Sequence, residues 1–298
     1  MATVRPNVTD PAHPRDGEGT ATRIDVGVDL HVVRLGPAAG PPVVLLHGFP
    51  ECWYGWLPVA RHLADAGYRV VVPDQRGYNL SEKPSAVSAY RLPTLAGDVA
   101  SLIDRLGHDA AHVVGHDWGA GVGWWLALDH PERVRTLTAV NVPHPTVMRR
   151  TLRRSWDQRR RSWYMAFVQL PALPERVASA WNYRLFERTM RESSRPGTFD
   201  DDDFVRYRAA WRQPGALTAT LNWYRAAARH PPAVRTDPVE PPTLVCWGVD
   251  DEFLRASMAR ESVAYCRDGR AVLVDDATHW LHHERPGWLA DRLGSWMG

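Results

Sequence analysis

Short apolar runs recur along the chain and are typical of strands that are buried on both faces. They are rich in β-branched residues, and segments with helical spacing separate them. In residues 95–106, for example, every third or fourth residue is apolar, and Gly107 follows as a terminator. This alternation predicts an α/β fold with a mostly parallel sheet flanked by helices, opened by a hairpin over 24–34. The runs cover residues 43–46, 70–72, 112–114, 137–140, 243–247 and 271–274.

The alternation stops between residues 144 and 234, where arginine- and tryptophan-rich helical patterns replace the strand-like runs. These patterns cover residues 152–167, 176–190, 204–211 and 216–228. Because strand-like runs then resume, we interpret 144–234 as a helical cap inserted into a core formed by residues 21–143 and 235–298. Residues 1–20 are polar and rich in proline, and we expect them to be a flexible tail.

The composition of the 298 residues excludes several classes of protein. With 44% hydrophobic and 23% charged residues, the chain is too apolar to be disordered. The net charge of +2 argues against a surface for polyanions, and no apolar run approaches the ~18 residues of a membrane span. Cys52, Cys246 and Cys266 lack the paired spacing of a disulfide framework or a zinc site. We therefore expect a cytoplasmic protein without membrane or nucleic-acid partners, and a homodimer is compatible with the sequence.

Asp117 lies at the centre of the most informative motif. Residues 113–121, VVGHDWGAG, end a predicted strand and lead into a predicted helix. A Gly-x-nucleophile-x-Gly turn of this kind presents its central side chain above the sheet. An aspartate is already ionised at neutral pH, and its attack on a saturated carbon gives an ester that water can cleave. The residue type favours epoxide opening or dehalogenation, with a simple helix cap as the alternative.

Candidate partners of Asp117 follow two later strands, in the chain order nucleophile, acid, histidine that accompanies this turn. Asp251 follows the run at 243–247, and His279 follows the run at 271–274. We expect His279 to deprotonate the water that cleaves the ester, while the acid orients the imidazole ring. Asp250 is a second candidate for the acid.

Hydrolysis of an ester on Asp117 places negative charge on a carboxyl oxygen, which calls for hydrogen-bond donors. One donor is the backbone N–H of the residue after the nucleophile, here Trp118. Residues 47–50, HGFP, follow an early strand and supply the backbone N–H of Phe49 as the other. The same segment is also compatible with a simple turn, because glycine and proline are common in loops.

Together these residues resemble the epoxide-hydrolase branch of the α/β-hydrolase superfamily. The resemblance runs from about residue 24 to residue 296 and is carried by HGFPECWYGW at 47–56, DQRGY at 74–78 with Ser81 and residues 83–84, GHDWGA at 115–120, and the pair Asp251 and His279. It implies an α/β-hydrolase fold, a helical lid over the sheet and a reaction without a cofactor or metal. It also implies lid tyrosines that donate protons to the epoxide oxygen.

The lid tyrosines match the family only in part. Tyr224, within NWYR at 222–225, fits one of the two positions. The other position falls on Phe167, which has no hydroxyl group. Tyr164, about one helical turn earlier, and Trp163, with its indole N–H, are the candidate substitute donors.

The resemblance implies an epoxide hydrolase that forms a vicinal diol through an ester on Asp117. An apolar or aromatic epoxide would bind between lid and sheet, in a pocket lined by aromatic side chains. The alternative is a haloalkane or haloacid dehalogenase. Haloalkane dehalogenases usually have asparagine in place of Phe49, and haloacetate dehalogenases have arginines where Trp118 and Gly121 stand. The residues expected to bind substrate are His47, Pro50, Trp163, Phe167 and Trp223.

Two further classes of function are less well supported. A binding protein that has kept the fold is disfavoured because the candidate nucleophile, acid and histidine are all present. Residues 149–161, RRTLRRSWDQRRR, resemble a nucleic-acid surface, with arginines on either side of Trp156. We interpret them as a solvated helix face, because the net charge is low and acidic residues at 200–203 balance them.

Overall fold

One eight-stranded sheet forms the centre of the computed structural model, which describes residues 11–231 and 237–298. The strand order is β1-β2-β4-β3-β5-β6-β7-β8. β2 pairs antiparallel with both β1 and β4, and all other neighbours are parallel. Each predicted apolar run lies within a strand, so the mostly parallel sheet is confirmed. The strands are β1 (Thr20–Asp25), β2 (Asp29–Leu35), β3 (Pro42–Leu46), β4 (Arg69–Pro73), β5 (Ala111–His116), β6 (Val134–Val140), β7 (Thr243–Gly248) and β8 (Gly269–Val274).

Helices cover both faces of the sheet, which explains why the inner strands are apolar on both sides. Alternate residues of β5 illustrate this, because Val113 packs into the core on one face and Val114 into the core on the other. The core helices are α1 (Leu57–Asp65), α2 (Leu92–Arg105), α3 (Trp118–Asp129), α10 (Ser257–Val263), α11 (Leu281–Glu284) and α12 (Pro286–Met297). No helix in the described part of the chain combines the length and apolar character needed to cross a bilayer.

The described residues between β6 and β7 contain six helices, which we call the cap: α4 (Pro145–Arg154), α5 (Trp156–Arg161), α6 (Trp163–Phe167), α7 (Leu173–Glu192), α8 (Asp201–Trp211) and α9 (Ala216–Arg229). The single helix expected over 152–167 is divided into three, with Ser155 and Ser162 between them. α7 is interrupted at Ala180–Tyr183, where three residues have positive φ angles. The expected boundary at 234/235 lies outside the described residues.

The segment before β1 differs from the tail expected over residues 1–20. Residues 1–10 lie outside the described part, but residues 11–19 pack against the core and the cap. The carbonyl of Ala12 accepts a hydrogen bond from the Trp53 indole at 3.0 Å. Glu18 forms a buried ion pair with Arg206 of α8 at 2.6 Å. Because two buried donors have their acceptors here, this segment belongs to the folded structure.

Candidate active site

Asp117 lies in a sharp turn between β5 and α3, with φ 48° and ψ −124°. Only glycine fits on either side of this turn. A Cβ on Gly115 would lie 2.4 Å from the backbone of Gly119, and one on Gly119 would lie 2.1 Å from the Leu46 carbonyl oxygen. The Asp117 side chain makes no capping hydrogen bond to α3, so the helix-cap alternative does not describe it. The turn therefore places the Asp117 carboxylate above the sheet, without a hydrogen bond to the helix that follows it.

The loop after β3 supplies a hydrogen-bond donor to this carboxylate. The backbone N–H of Phe49 donates to Asp117 Oδ1 at 2.8 Å. The two loops meet closely, because a Cβ on Gly48 would lie 2.3 Å from the Asp117 Cβ. Trp118 is the first residue of α3, and its N–H therefore has no acceptor within the helix. Both N–H groups expected as an oxyanion hole thus belong to segments next to the Asp117 carboxyl group.

His279 and Asp251 form a buried hydrogen-bonded pair at the carboxyl ends of β8 and β7. His279 Nδ1 donates to Asp251 Oδ2 at 2.8 Å. The other carboxylate oxygen of Asp251 accepts from the backbone N–H groups of Phe253 and Leu254 at 2.8 and 2.9 Å. These contacts fix the carboxylate and orient the imidazole, whose Nε2 is directed toward the candidate nucleophile.

Asp250, the competing candidate for the acid, faces solvent. Its side chain is 54% exposed and pairs with Arg195 at 2.8 Å. The carboxylate of Asp251, by contrast, is held inside the protein: its Oδ2 accepts a hydrogen bond at 2.8 Å from Asn141, at the end of β6. The sequence analysis did not include Asn141; the signal that could have found it is a polar residue at the carboxyl end of a strand beside β7. The geometry therefore selects Asp251 as the partner of His279.

His279 faces Asp117 across a short gap. Its Nε2 lies 3.8 Å from Asp117 Oδ2, which is too long for a direct hydrogen bond. Burial by itself lowers the pKa of His279, but the charge and hydrogen bond of Asp251 and the charge of Asp117 outweigh burial and raise that pKa above its ordinary value. An ionised Asp117 thus favours a protonated His279.

This coupling predicts that Asp117→Asn lowers the pKa of His279, because one of the charges that stabilise the imidazolium is lost while burial remains. The pKa can be followed by NMR titration of the His279 ring. Asp250→Asn is the matched control, since it removes an exposed carboxylate that pairs with Arg195, and we expect no change in that variant. An unaltered His279 pKa in Asp117→Asn would contradict the coupling.

A cavity of about 530 Å³ opens between the sheet and the cap, and Asp117 lies on its wall. Trp118, Tyr164 and Tyr224 line it together with mostly apolar side chains. The apolar part of the wall comes from both core and cap: Leu92, Val142, Pro143, Pro145, Met148, Leu152, Met165, Ala227, Pro231 and Leu254. A volume of this size is typical of sites for small organic molecules.

Tyr224 and Tyr164 bring two hydroxyl groups to this cavity. Their rings pack edge to face with centroids 5.9 Å apart. Burial raises the pKa of each tyrosine, and the nearby charge of Asp117 raises both pKa values further. Both phenols therefore stay protonated at neutral pH and are available as donors.

Trp163 and Phe167, expected to bind substrate, lie off the cavity wall. Trp163 is 65% exposed, and Phe167 packs against it with ring centroids 6.1 Å apart. The reason is the helical period, because residues four apart share one face of α6 while Tyr164 and Met165 face the cavity. Of the two substitute donors considered for the second lid tyrosine, Tyr164 is the one at the site.

Trp223, His47 and Pro50 do not line the cavity; they pack next to the residues that do. Trp223 is fully buried and donates to the Arg76 carbonyl at 3.0 Å, because adjacent helix positions point in different directions and Tyr224 faces the cavity. His47 Nε2 accepts from the backbone N–H of Gln75 at 3.1 Å. The Pro50 carbonyl accepts from the indole of a cap tryptophan, Trp211. These contacts fix the loop that carries the Phe49 N–H.

A buried hydrogen-bonded network around Glu51 connects the candidate site to the cap. His116, the residue before the nucleophile, has Nδ1 3.1 Å from Glu51 and Nε2 2.9 Å from the His279 carbonyl oxygen. Tyr207 of α8 donates to Glu51 at 2.9 Å, and His283 lies 2.6 Å from it. The sequence analysis missed this network, although Glu51 directly follows HGFP and His116 directly precedes Asp117.

Within the described ranges, the same network contains the one group of three or more histidine, cysteine or acidic side chains whose potential metal-ligand atoms lie close together. The ligand atoms of Glu51, His116 and His282 are all within 4.8 Å of one another. All three side chains are buried, and Glu51 already accepts hydrogen bonds from both histidines. Burial by itself raises the pKa of Glu51, but the charges of His282 and His283 and the hydrogen bonds from His116 and His282 lower that pKa well below its ordinary value. The cluster is therefore a closed network of ionised and hydrogen-bonded groups.

Comparisons with known proteins give the same assignment as the geometry. A sequence profile of the α/β-hydrolase fold matches residues 41–286. The AB hydrolase superfamily protein YfhM of Bacillus subtilis is 45% identical over 260 residues, which are 87% of this chain and 91% of that protein. Epoxide hydrolase 1 of Caenorhabditis elegans is 34% identical over 275 residues, which are 91% of this chain and 68% of that protein.

A solved structure shows the same fold. The crystal structure of Bacillus megaterium epoxide hydrolase in complex with an inhibitor superposes with a TM-score of 0.84 at 27% identity, covering 93% of this chain and 99% of that one. The sheet order, the sharp turn at Asp117 and the His279–Asp251 pair fit this relationship. The chain is a hydrolase of the α/β-hydrolase family, in the branch that contains the epoxide hydrolases.

Proposed function

We propose that the chain is an epoxide hydrolase that opens an apolar or aromatic epoxide to a vicinal diol through a covalent ester on Asp117. The observation that carries this proposal is the composition of one cavity wall. A carboxylate and two tyrosine hydroxyl groups lie on it, and His279 faces the carboxylate at 3.8 Å. Relatives and structural neighbours named as epoxide hydrolases support the same reaction.

In the first step, Asp117 Oδ2 attacks one carbon of the epoxide ring. The new ester bond forms as the ring C–O bond breaks, and the electron pair of that bond passes to the ring oxygen. Tyr224 and Tyr164 stabilise this oxygen by hydrogen bonding, and one of them transfers its proton to it. Their raised pKa values keep the phenols protonated until the alkoxide, a stronger base than a phenolate, develops.

In the second step, water cleaves the ester at the Asp117 carbonyl carbon. Esterification removes the negative charge that helps to keep His279 protonated, so the imidazole is released to act as the general base. The proton moves from water to Nε2 while Asp251 stabilises the imidazolium. The N–H groups of Phe49 and Trp118 stabilise the tetrahedral oxyanion. When the oxyanion collapses, the bond between the Asp117 carboxyl carbon and the ester oxygen breaks, and the diol leaves with that oxygen and with the proton that the attacking water left on the carboxyl group. The proton that His279 released after esterification returns to the phenolate formed in the first step, so all groups regain their initial state.

A single turnover in heavy-oxygen water tests this proposal. We expect the heavy isotope to enter the Asp117 carboxylate, which can be detected by mass spectrometry of the peptide that contains it. The first equivalent of diol should be unlabelled, since its new oxygen comes from the enzyme. Labelled diol in the first turnover would mean that water attacks the epoxide directly, and the ester mechanism would be wrong.

The two lid hydroxyl groups provide a separate prediction. Tyr224→Phe and Tyr164→Phe are each expected to slow ring opening of styrene oxide by about 10²-fold, the lower range for a positioned acid. We expect the double variant to be slower still, as measured by single-turnover formation of the ester. Tyr183→Phe is the control, because that hydroxyl binds the Trp211 carbonyl within the cap. Unchanged ring opening in Tyr164→Phe would exclude the two-tyrosine arrangement.

Dehalogenation by the same nucleophile is the alternative, and the tyrosines argue against it. A halide ion leaves carbon without a proton, whereas an epoxide oxygen leaves as an alkoxide that has to be protonated. Two protonated phenols beside the nucleophile therefore suit the epoxide.

The nucleophile, base and acid of this scheme are all side chains, so we propose a reaction without a cofactor. The cytoplasmic location and a homodimer remain predictions.

A further inference from the structure

Two arginines lie on the wall of the cavity that contains Asp117. Arg149 and Arg153 are on the face of α4 that borders this cavity, next to Met148 and Leu152. Arg149 is half-buried and Arg153 is exposed, so the pair extends from the wall to the rim. Residues four apart in a helix are neighbours, and the two guanidinium groups can therefore contact one ligand group.

Neither arginine pairs with an acidic side chain in the part of the chain that the structure describes. Within residues 11–231 and 237–298, the guanidinium groups of Arg149 and Arg153 make no hydrogen bond or ion pair. Arg150, on another face of the same helix, instead pairs with Glu261 at 2.5 Å. Two positive charges one turn apart repel each other, and an anion bound at the cavity would relieve this repulsion.

We infer that Arg149 and Arg153 bind a carboxylate or phosphate group of the substrate while its epoxide lies at Asp117. This inference rests on the proposed function, because it assigns the reacting carbon to Asp117. Guanidinium groups match the planar geometry of carboxylates and the oxygens of phosphates. The rest of the cavity wall, apart from Asp117 and the two arginines, is mostly apolar, which suits a hydrocarbon chain. The substrate class is therefore an epoxide with an apolar chain that ends in an anionic group.

The anion lies away from the carbon that reacts, so its contacts with the arginines are the same before and during ring opening. Binding of this kind lowers KM and leaves kcat unchanged. This separates a substrate-binding pair from residues that take part in the chemistry. It also makes the effect specific, because a neutral substrate of the same length has no group for the arginines to bind.

The test uses epoxy fatty acids of increasing chain length and their methyl esters. At the best length we expect the wild-type protein to prefer the acid over the ester by about tenfold in kcat/KM, mainly through KM. In Arg149→Gln/Arg153→Gln this preference should fall to about one. Arg154→Gln, an exposed arginine of α4 off the cavity wall, should keep the wild-type preference and thus controls for general surface charge.

Calorimetric binding of the corresponding diol acids and diol esters distinguishes failure of this inference from failure of the proposed function. If no epoxide is turned over but the diol acid binds more tightly than its ester in an Arg149- and Arg153-dependent way, the anion site stands and the proposed reaction is wrong. If acids and esters are turned over and bound equally, the anion site is wrong and the reaction stands. An equal loss of preference in Arg154→Gln would reduce the effect to long-range charge and also overturn the inference.

Discussion

Asp117→Asn is expected to lower turnover of styrene oxide by about 10⁴–10⁶-fold, the range seen when a catalytic nucleophile is replaced. Asparagine keeps the shape of the side chain and tolerates a positive φ angle, and its oxygen can still accept from the Phe49 N–H. The amide lacks the charge that attacks carbon. The loss should therefore appear in kcat, measured as diol formation, with the melting temperature close to that of the wild-type protein.

Asp250→Asn is the matched control for this variant, because it changes the same residue type at an exposed position. We expect it to retain turnover within about twofold, as is usual for a surface substitution. An Asp117→Asn protein with more than a tenth of wild-type turnover would show that the carboxylate is not the nucleophile. In that case the cap role of Asp117, which its missing capping bond disfavours, would have to be reconsidered.

His279→Gln is expected to stop the reaction after ring opening. The nucleophile needs no base, so the ester on Asp117 should still form, whereas its hydrolysis should slow by about 10²–10⁴-fold without a general base. Mass spectrometry after mixing with substrate should find the protein heavier by one substrate molecule, carried on the peptide with Asp117. The fold should persist, because Asp251 keeps its hydrogen bonds from Asn141, Phe253 and Leu254.

His62→Gln is the control for the trapping experiment, since His62 is an exposed residue of α1 outside the cavity wall. It should show no mass increase at steady state and normal diol formation. An unchanged mass of the His279→Gln protein together with full turnover would mean that another group activates water. Loss of turnover without trapped ester would mean that His279 acts before or during ring opening.

Much of this architecture could be predicted from local sequence. Strands buried on both faces leave continuous apolar runs, and a turn that only glycine fits leaves the pattern around Asp117. The order of Asp117, Asp251 and His279 along the chain follows from the strands that carry them. Each of these signals depends on a few neighbouring residues, which is why they can be recognised without a structure.

The residues that local sequence could not predict depend on contacts between distant segments. Glu51 receives hydrogen bonds from β5, α11 and the cap, and no single segment indicates this convergence. The directions of Trp163 and Trp223 also had to be seen, because aromatic residues next to the candidate tyrosines could face the cavity, the core or solvent. Asn141 is conspicuous only once β6 is known to lie beside β7.

The cap is held to the core by two separate sets of contacts. On one side α8 is tied down by the Arg206–Glu18 ion pair and by the hydrogen bond from Tyr207 to Glu51. Elsewhere α5 is held to the loop after β7 by hydrogen bonds from Gln158 to the Phe253 carbonyl and from Arg161 to the Asp251 carbonyl. Because both α5 and α8 are bonded to the core, the cap cannot rotate away from the core as one body without breaking one of these sets of contacts. We therefore expect substrate and product to pass through the opening of the cavity. In the proposed reaction, the width of that opening would limit which epoxides reach Asp117 and how fast the diol leaves.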